Sequence, residues 1–503
     1  DFVRSSVQVG RSSLSGLLLP APGVVEWNLD MPQNPALQMK VGIAPPEILD
    51  GPPSDGASLA LTVIADGTEH AVWSRDLLVD NIEAVNIDLS AFAGKSVTLR
   101  FESKPEGSPL YDYVFLNEPA VVDLNTSPRR ILLVFVDTVR VDHLSLYGYE
   151  RDTAPSLEKL AKEATVFETA RSVAPWTLPS TRSVLTGRHP EYFDSSTPPP
   201  RYIREKGWAS AMFAGNLYLA PNFGLHRDWG LQNVVLWPSA TEIVDSAMGF
   251  LDENPNRDVM MMVHFMDAHL PYQEPESHRH VYAGEPKGGL GEEFHRAGIL
   301  KARLRTPEDR QYVLDRYDNN IRYINDELER LYTRLGPNDI VVYFADHGEE
   351  FWDHGGFEHG HTLYDELLRV PLVIKGPGMK PGRISEPVSL LDITPTILEL
   401  IGLPNDSLDG QSLVAASSGD ESALEALRNR NLTFGRPLYG FERWGVIHED
   451  KKYTTTEGRE ELYNLGADPT ESKNLLRQKQ GDPGAPFRDY LADGLGRDAS
   501  VVY

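Results

Sequence analysis

Apolar and polar residues alternate through the first 122 positions. Ser58-Leu-Ala-Leu-Thr-Val-Ile-Ala65 and Ser96-Val-Thr-Leu-Arg-Phe-Glu102 put every second side chain on one face, the period of a half-buried strand. Pro45-Pro46 and Asp50-Gly-Pro-Pro53 punctuate these runs. The pattern predicts a β-sandwich of the jelly-roll kind over residues 1–122, with Asp88–Arg100 as its last hairpin. A polar linker, 123–130, follows. The pattern then changes. Ile131-Leu-Leu-Val-Phe-Val136 is continuously apolar and ends in Asp137, which reads as a strand buried on both faces. Ala154–Ala164 has helical spacing with Pro155 near its start. Strand-like runs recur at Asp258–Phe265, Asp339–Ala345 and Val370–Ile374, between helical stretches. Such alternation predicts an α/β sandwich around a mainly parallel sheet over 131–425. Functional groups are then expected just past the carboxyl ends of the strands, where Asp137, Asp267 and Asp346 fall. Trp444–Thr455 and Glu460–Leu465 read as short antiparallel strands of a C-terminal subdomain over 426–503.

Composition narrows the function. The 503 residues are 41% hydrophobic and 24% charged, a globular balance with ample core for an enzyme. The net charge of −26 repels nucleic acid and anionic membranes. It also repels an anionic ester at long range, so an ester-cleaving site needs a local positive centre. The absence of cysteine removes disulfides, thiolate metal sites and cysteine catalysis together. No apolar run reaches the ~18 residues of a membrane span. The chain starts at Asp1 without Met, which raises the expectation of a removed signal peptide and a periplasmic or secreted protein.

Four segments concentrate chemistry-bearing residues. They are Val136–Leu144, Ala174–Arg188, Phe344–Phe351, and His354–His361 running on to Pro371. The second reads Ala-Pro-Trp-Thr177-Leu-Pro-Ser-Thr-Arg-Ser-Val-Leu-Thr-Gly-Arg. It resembles the nucleophile signature of the sulfatase branch of the alkaline-phosphatase superfamily, Cys/Ser-x-Pro-x-Arg followed by Leu-Thr-Gly. All four segments occur in that family's order, and with the C-terminal Glu-Leu-Tyr-Asn-Leu465 the resemblance spans residues 130 to 475. It implies an alkaline-phosphatase-like α/β fold with one metal site, Asp137, Asp346 and His347 being ligands and Thr177 both ligand and nucleophile. Two carboxylates and an imidazole suit a divalent ion. Coordination would lower the pKa of an otherwise inert hydroxyl.

The chain departs from the family in three places. Thr177 stands where the modified Cys or Ser lies, and threonine cannot be oxidised to the aldehyde those enzymes use. Thr138 replaces the second of two adjacent aspartates, which favours zinc or manganese over the oxygen-rich shell of calcium, though calcium stays open. The family Arg falls on Thr181, and Arg182 is rotated about 100° along a helix. The pattern is similar to threonine-nucleophile phosphoethanolamine and phosphoglycerol transferases, whose membrane anchors this chain lacks.

Histidines form a second group. The resemblance implies that His359 stands where related phosphonate and sulfate ester hydrolases contact the transferred group. It also matches His269 to an imidazole near the leaving group, with His361 a further catalytic candidate. An imidazole titrates near operating pH and can serve as a general acid. His264 and His354 read as structural. Asp267, His269 and His361 could hold a second metal, but their spacing departs from that of two-metal phosphatases. Asn216 could line the pocket but reads first as a turn residue, Asp392 reads as a structural landmark, and Glu349 and Glu350 read either as groups that could orient the site from behind or as solvated acids.

These features put a metal-dependent phosphate ester hydrolase first, acting on mono- or diesters or phosphonates through a covalent phosphothreonine at Thr177. Sulfate ester hydrolysis without the aldehyde and phosphoryl transfer are the alternatives. A third reading, from another class, is a non-catalytic glycan-binding protein using the N-terminal sandwich, whose Asp88–Arg100 segment resembles carbohydrate-binding sandwiches. The expected substrate is a small-molecule ester or one derived from a glycan or lipid.

Overall fold

The computed structural model describes residues 3–44, 53–79, 81–189, 206–225, 229–286, 290, 306–404, 408–477 and 481–495. Near the N-terminus, Gly23–Asp30, Ser96–Pro105, Ala57–Ala65 and Thr68–Leu77 pair antiparallel in that order. Facing them are Ser12–Pro20, Tyr113–Asp123, Pro35–Ile43 and Glu83–Asp88, also antiparallel. Burial alternates strictly along Ala57–Ala65, so Leu59, Leu61 and Val63 enter the core between the layers and meet Met39, Val41 and Leu116. The hairpin expected over Asp88–Arg100 is instead a crossover. Glu83–Asp88 belongs to one layer and Ser96–Pro105 to the other. Leu89 and Phe92 are buried, and this anchors the connecting turn Ser90–Phe92 against the core.

The larger part is an α/β structure, as the strand–helix alternation predicts. Leu231–Val234, Ala209–Ala214, Val259–Phe265, Arg130–Val136 and Ile340–Phe344 run parallel side by side. Leu372–Lys375 joins antiparallel, followed by Thr165–Phe167 and Gly382–Ile384. Every residue of Val259–Phe265 and Ile340–Phe344 is buried, which is why these strands read as unbroken apolar runs. The helix Ala240–Glu253 opens with a reciprocal Ser239–Glu242 capping box. Thr306 caps the helix Pro307–Tyr332 by accepting from Asp309 N.

The two parts share one sheet. Ser12–Pro20 pairs antiparallel with Leu231–Val234, which makes one sheet of 13 strands, Val3–Val9 pairing with Ser12–Pro20 beside the main strand order. An edge strand exposes unpaired N–H and C=O groups, and here the edge of the parallel region is covered by a segment from near the start of the chain. Asn117 pins the seam: its Nδ2 donates to Ser15 O (2.8 Å) and Gly230 O (3.0 Å). The strand ending at Asp123 and the one starting at Arg130 leave only 124–129 between them.

Toward the C-terminus, Asn431–Gly435, Trp444–His448, Lys451–Thr456 and Arg459–Asn464 form an antiparallel sheet. Its docking uses a buried ammonium. Lys452 Nζ lies 2.9 Å from both Asp365 Oδ1 and Glu471 Oε1, and Arg171 completes the cluster 2.8 Å from Asp365 Oδ2. Such a charge is tolerable only when fully partnered. Among the described residues no helix is long and apolar enough to cross a membrane.

The seam gives a stability prediction. Asn117→Ala should lower the free energy of unfolding by about 1–3 kcal/mol, because it removes two buried hydrogen bonds, leaving Gly230 O with Ser15 N (2.9 Å). Urea denaturation of the variant should show a lower midpoint; an unchanged midpoint would mean that the seam is held by the strand pairing alone.

Candidate active site

Asp137 directly follows the strand Arg130–Val136, and its N–H donates to Phe265 O of the neighbouring strand (3.0 Å). Thr138 turns the chain sharply, with φ of 64°. Its Oγ1 ties the turn down by donating to Ala268 O (2.9 Å). Asp346 and His347 follow Ile340–Phe344, the strand paired on the other side of Arg130–Val136. Gly348 is required next, since a Cβ there would lie 1.9 Å from Glu366 O. The parallel strands thus deliver three groups to one end of the sheet.

Asp137, Asp346 and His347 are fully buried, with ligand atoms all within 4.8 Å of one another. His347 Nδ1 lies 2.8 Å from Gly348 O, a pure acceptor, so Nδ1 carries the proton. Nε2 of the neutral ring therefore presents a lone pair, and it faces Asp137 Oδ1 at 3.4 Å and Asp346 Oδ2 at 3.3 Å. Neither oxygen has a hydrogen-bond partner among the described residues. Three buried acceptors facing one another fit a cation at their centre. The electrostatics agree. Burial pushes Asp346 well above the usual carboxylate range, and the Asp137 charge adds to this. Burial opposes the charge on Asp137 too, but His264, His269 and His347 hold its carboxyl well below that range. Burial, reinforced by His359, pushes His347 down to about 3.

Thr177 is the first residue of the helix Thr177–Thr186, which ends at Gly187 in the left-handed region (φ 63°). Its Oγ1 sits 3.5 Å from Asp137 Oδ2 and 3.5 Å from His347 Nε2. The preceding loop is fixed by Ser180 Oγ, which donates to Ala174 O (3.0 Å), and by Trp176 Nε1, which donates to Arg436 O (2.7 Å). A helix N-terminus carries partial positive charge and favours an anion there.

The other candidates divide. The His359 ring lies 4.3 Å from that of His347, tilted, and 4.9 Å from that of His269, edge to face, and its Nδ1 is 2.9 Å from Glu349 Oε1. Burial pushes Glu349 up to about 8. His269 Nδ1 donates to Leu270 O (2.6 Å), which leaves Nε2 to face outward chemistry. His361 goes elsewhere. Glu350 is held in a hairpin by the N–H groups of His354 and Gly356, and it takes His361 Nε2 at 2.7 Å. His361, the further catalytic candidate, is thus an ion-pair partner of Glu350. Asp267 turns to the helix start at Ala240 N (3.1 Å), so Asp267, His269 and His361 do not assemble.

Two residues read as structural belong to the site. Asn216 Nδ2 lies 3.0 Å from Asp137 Oδ2 and 3.3 Å from Thr177 Oγ1, while its Oδ1 accepts from Tyr218 N. The turn and the site are one device, and the signal was its place just past the strand Ala209–Ala214. His264 Nε2 stands 3.3 Å from Asp137 Oδ2; it lies inside its strand and carried no such signal. Thr181, at the family's arginine position, is buried with no partner for its hydroxyl among the described residues. Arg182 donates to Phe223 O (2.8 Å). Asp392 is structural, bonded to Ser389 N, Gln411 N and Arg430.

Comparison with known proteins places the chain in a family. The sulfatase family profile matches residues 129–403, and that of the C-terminal part of N-sulphoglucosamine sulphohydrolase matches 352–484. Neither reaches the first 128 residues. The uncharacterized sulfatase YidJ of Escherichia coli is 26% identical over 280 residues, which is 51% of this chain and 55% of that protein, so the chain spans about half of that relative's length. Among solved structures, BT1596, a 2-O GAG sulfatase, is similar with a TM-score of 0.60 at 19% identity, covering 74% of this chain and 93% of that one. The phosphonate monoester hydrolase of Agrobacterium radiobacter is similar with a TM-score of 0.54 at 18% identity, covering 73% and 94%.

The three facing acceptors predict metal-dependent stability. A cation at 100 times its Kd should stabilise the fold by about 2.7 kcal/mol. Chelation should lower the melting temperature, readdition of a divalent ion should restore it, and Asp137→Asn should remove the response. A melting curve indifferent to zinc, manganese and calcium would refute the site.

Proposed function

Because the chain belongs to the sulfatase family, we propose that it hydrolyses sulfate esters, with the Thr177 hydroxyl as the attacking group. One observation carries the mechanism: Thr177 Oγ1 stands at a helix start, within 3.5 Å of Asp137 and His347 and 3.3 Å of Asn216. A divalent cation held by Asp137, Asp346 and His347 would supply acidification of that hydroxyl and neutralise ester charge. Zinc or manganese suits two carboxylates and an imidazole better than calcium, because Asn216 turns its amide nitrogen and not its oxygen toward the centre. Thr177 Oγ1 gives up its proton to solvent and forms a bond to the central atom as the bond to the leaving oxygen breaks. His269, whose Nδ1–H is held by Leu270 O, enters this step as the imidazolium and gives its Nε2 proton to the leaving oxygen, while His359, oriented by Glu349, contacts the transferred group. Water then attacks the central atom, its proton passes to His269 Nε2, and the released Thr177 oxygen takes a proton from solvent to restore the hydroxyl.

The relatives move sulfate esters ahead of the phosphate esters favoured by the nucleophile position alone. BT1596 is described as a 2-O GAG sulfatase, which makes a sulfated saccharide the first substrate to test. Phosphate or phosphonate esters remain the second reading. Thr177 itself supports it: a sulfated threonine lacks the easy release of an aldehyde hydrate, whereas a phosphothreonine is opened by metal-assisted attack of water.

Matched sulfate, phosphate and phosphonate esters, assayed side by side with one leaving group, decide the order. Sulfate turnover should be fastest; phosphate turnover exceeding it by tenfold would reverse the assignment. Thr177→Ala should reduce kcat by roughly 10³-fold or more, as for other covalent nucleophiles, and Thr177→Ser should keep measurable activity. Rapid quenching should trap the modified Thr177 peptide. Full turnover by Thr177→Ala would show that water attacks directly.

A further inference from the structure

The two layers of the N-terminal sandwich differ in width. The smaller layer ends at Gly23–Asp30, whereas the facing layer continues through Ser12–Pro20 into the parallel sheet. Beyond that edge no strand of the smaller layer covers the inner face. A cleft of about 780 Å³ opens there, within the range of small-molecule sites. Its apolar wall is made of Leu17, Leu29, Leu37, Leu99 and Leu116 with the rings of Trp27, Phe101 and Trp208. Trp27 and Leu29 are only half-buried, so their apolar faces are available to an occupant.

The far wall comes from the α/β part and includes Arg257. Arg257 is 6% exposed. Its Nε donates to Gly207 O (3.1 Å), and no carboxylate lies within ion-pair distance of it among the described residues. Glu118 also lines the cleft and acts on Arg257 at longer range, but its oxygens accept from Ser210 Oγ (3.1 Å) and Ser210 N (3.4 Å). The neighbouring Arg129 is already paired with Asp258 (2.8 Å). A buried guanidinium whose carboxylate acts only from longer range is incompletely compensated. Burial alone depresses its pKa, although a guanidinium stays charged.

We propose that this cleft binds an amphipathic monoanion, with an alkyl body of medium length against the leucines and Trp27 and an oxyanion head on Arg257. The open fork of Arg257 matches a carboxylate or a sulfate head. None of the residues involved belongs to the Thr177 site, so the proposal stands independently of the reaction assigned to it.

Decanoate, decyl sulfate and uncharged decanol, each below its micelle concentration, are the probes. Binding is followed by calorimetry and by tryptophan fluorescence in the intact chain. At least one of the two anions should saturate a single site at least tenfold more tightly than decanol, and the comparison of the two identifies the head group. Arg257→Met should erase that preference while leaving decanol binding unchanged, and Leu29→Trp, which fills the cleft, should abolish binding of all three. Decanol binding as tightly as both anions would overturn the proposal, as would no saturable binding by either anion, or an intact preference in Arg257→Met. If Arg257→Met fails to fold, Leu29→Trp decides: anion binding at wild-type strength in that variant would overturn the proposal.

Discussion

Two aspartates and an imidazole lone pair, buried together and facing inward, are the constraint on which the rest of the catalytic part depends. Asp137 and Asp346 stand on adjacent parallel strands, with the Nε2 of His347 within 3.4 Å of both. Without a positive charge between them, such a group would be among the most costly features of the fold. The parallel sheet makes it affordable, because rigid neighbouring strands hold the three acceptors at a distance a cation can bridge. The same sheet end receives Thr177 from a helix N-terminus and Asn216 from a third strand. A cation held there would give an anionic ester a local positive centre on a chain whose net charge is −26.

Much of this could be read from the chain. The unbroken apolar runs before Asp137 and Asp346 marked parallel strands buried on both faces, and the Thr177 segment carried the family resemblance. What escaped was geometry between distant segments. Asn216 looked like a turn residue because it is one; its second amide contact depends on how the strand Ala209–Ala214 is placed beside two others. His264 sits inside an apolar strand, where periodicity says nothing about which ring nitrogen meets Asp137. His359 and His361 are two apart and looked equivalent, yet Glu349 and Glu350 hold them in different places.

The sheet seam escaped for a related reason. Leu231–Val234 is a short strand with no sign of its partner, and Ser12–Pro20 looked like part of a self-contained sandwich. Pairing them removes an exposed edge from each. It also fixes the N-terminal layers against the α/β part, so that a cleft between the two is a consequence of unequal sheet widths rather than of a loop.

Left-handed backbone at non-glycine residues occurs in all parts of the fold, and some of it lies at the site. Thr138, Trp237, Trp352 and Glu358 all have left-handed backbones, with φ of 64°, 55°, 66° and 69°. For a β-branched or aromatic residue this costs on the order of 1–3 kcal/mol. Thr138 adjoins Asp137 and Glu358 adjoins His359, while the Trp237 ring lies 5.4 Å from that of His269. Trp352 stacks on Phe357 at the hairpin that carries the histidines. Each strained residue sets the direction of a site group or of its support. Thr138 shows how the strain is held, since its hydroxyl and carbonyl are both bonded, to Ala268 O and by Tyr317 Oη. A relaxed backbone at this position would turn Asp137 away from His347, so the unfavourable conformation is part of how the acceptors are kept facing one another.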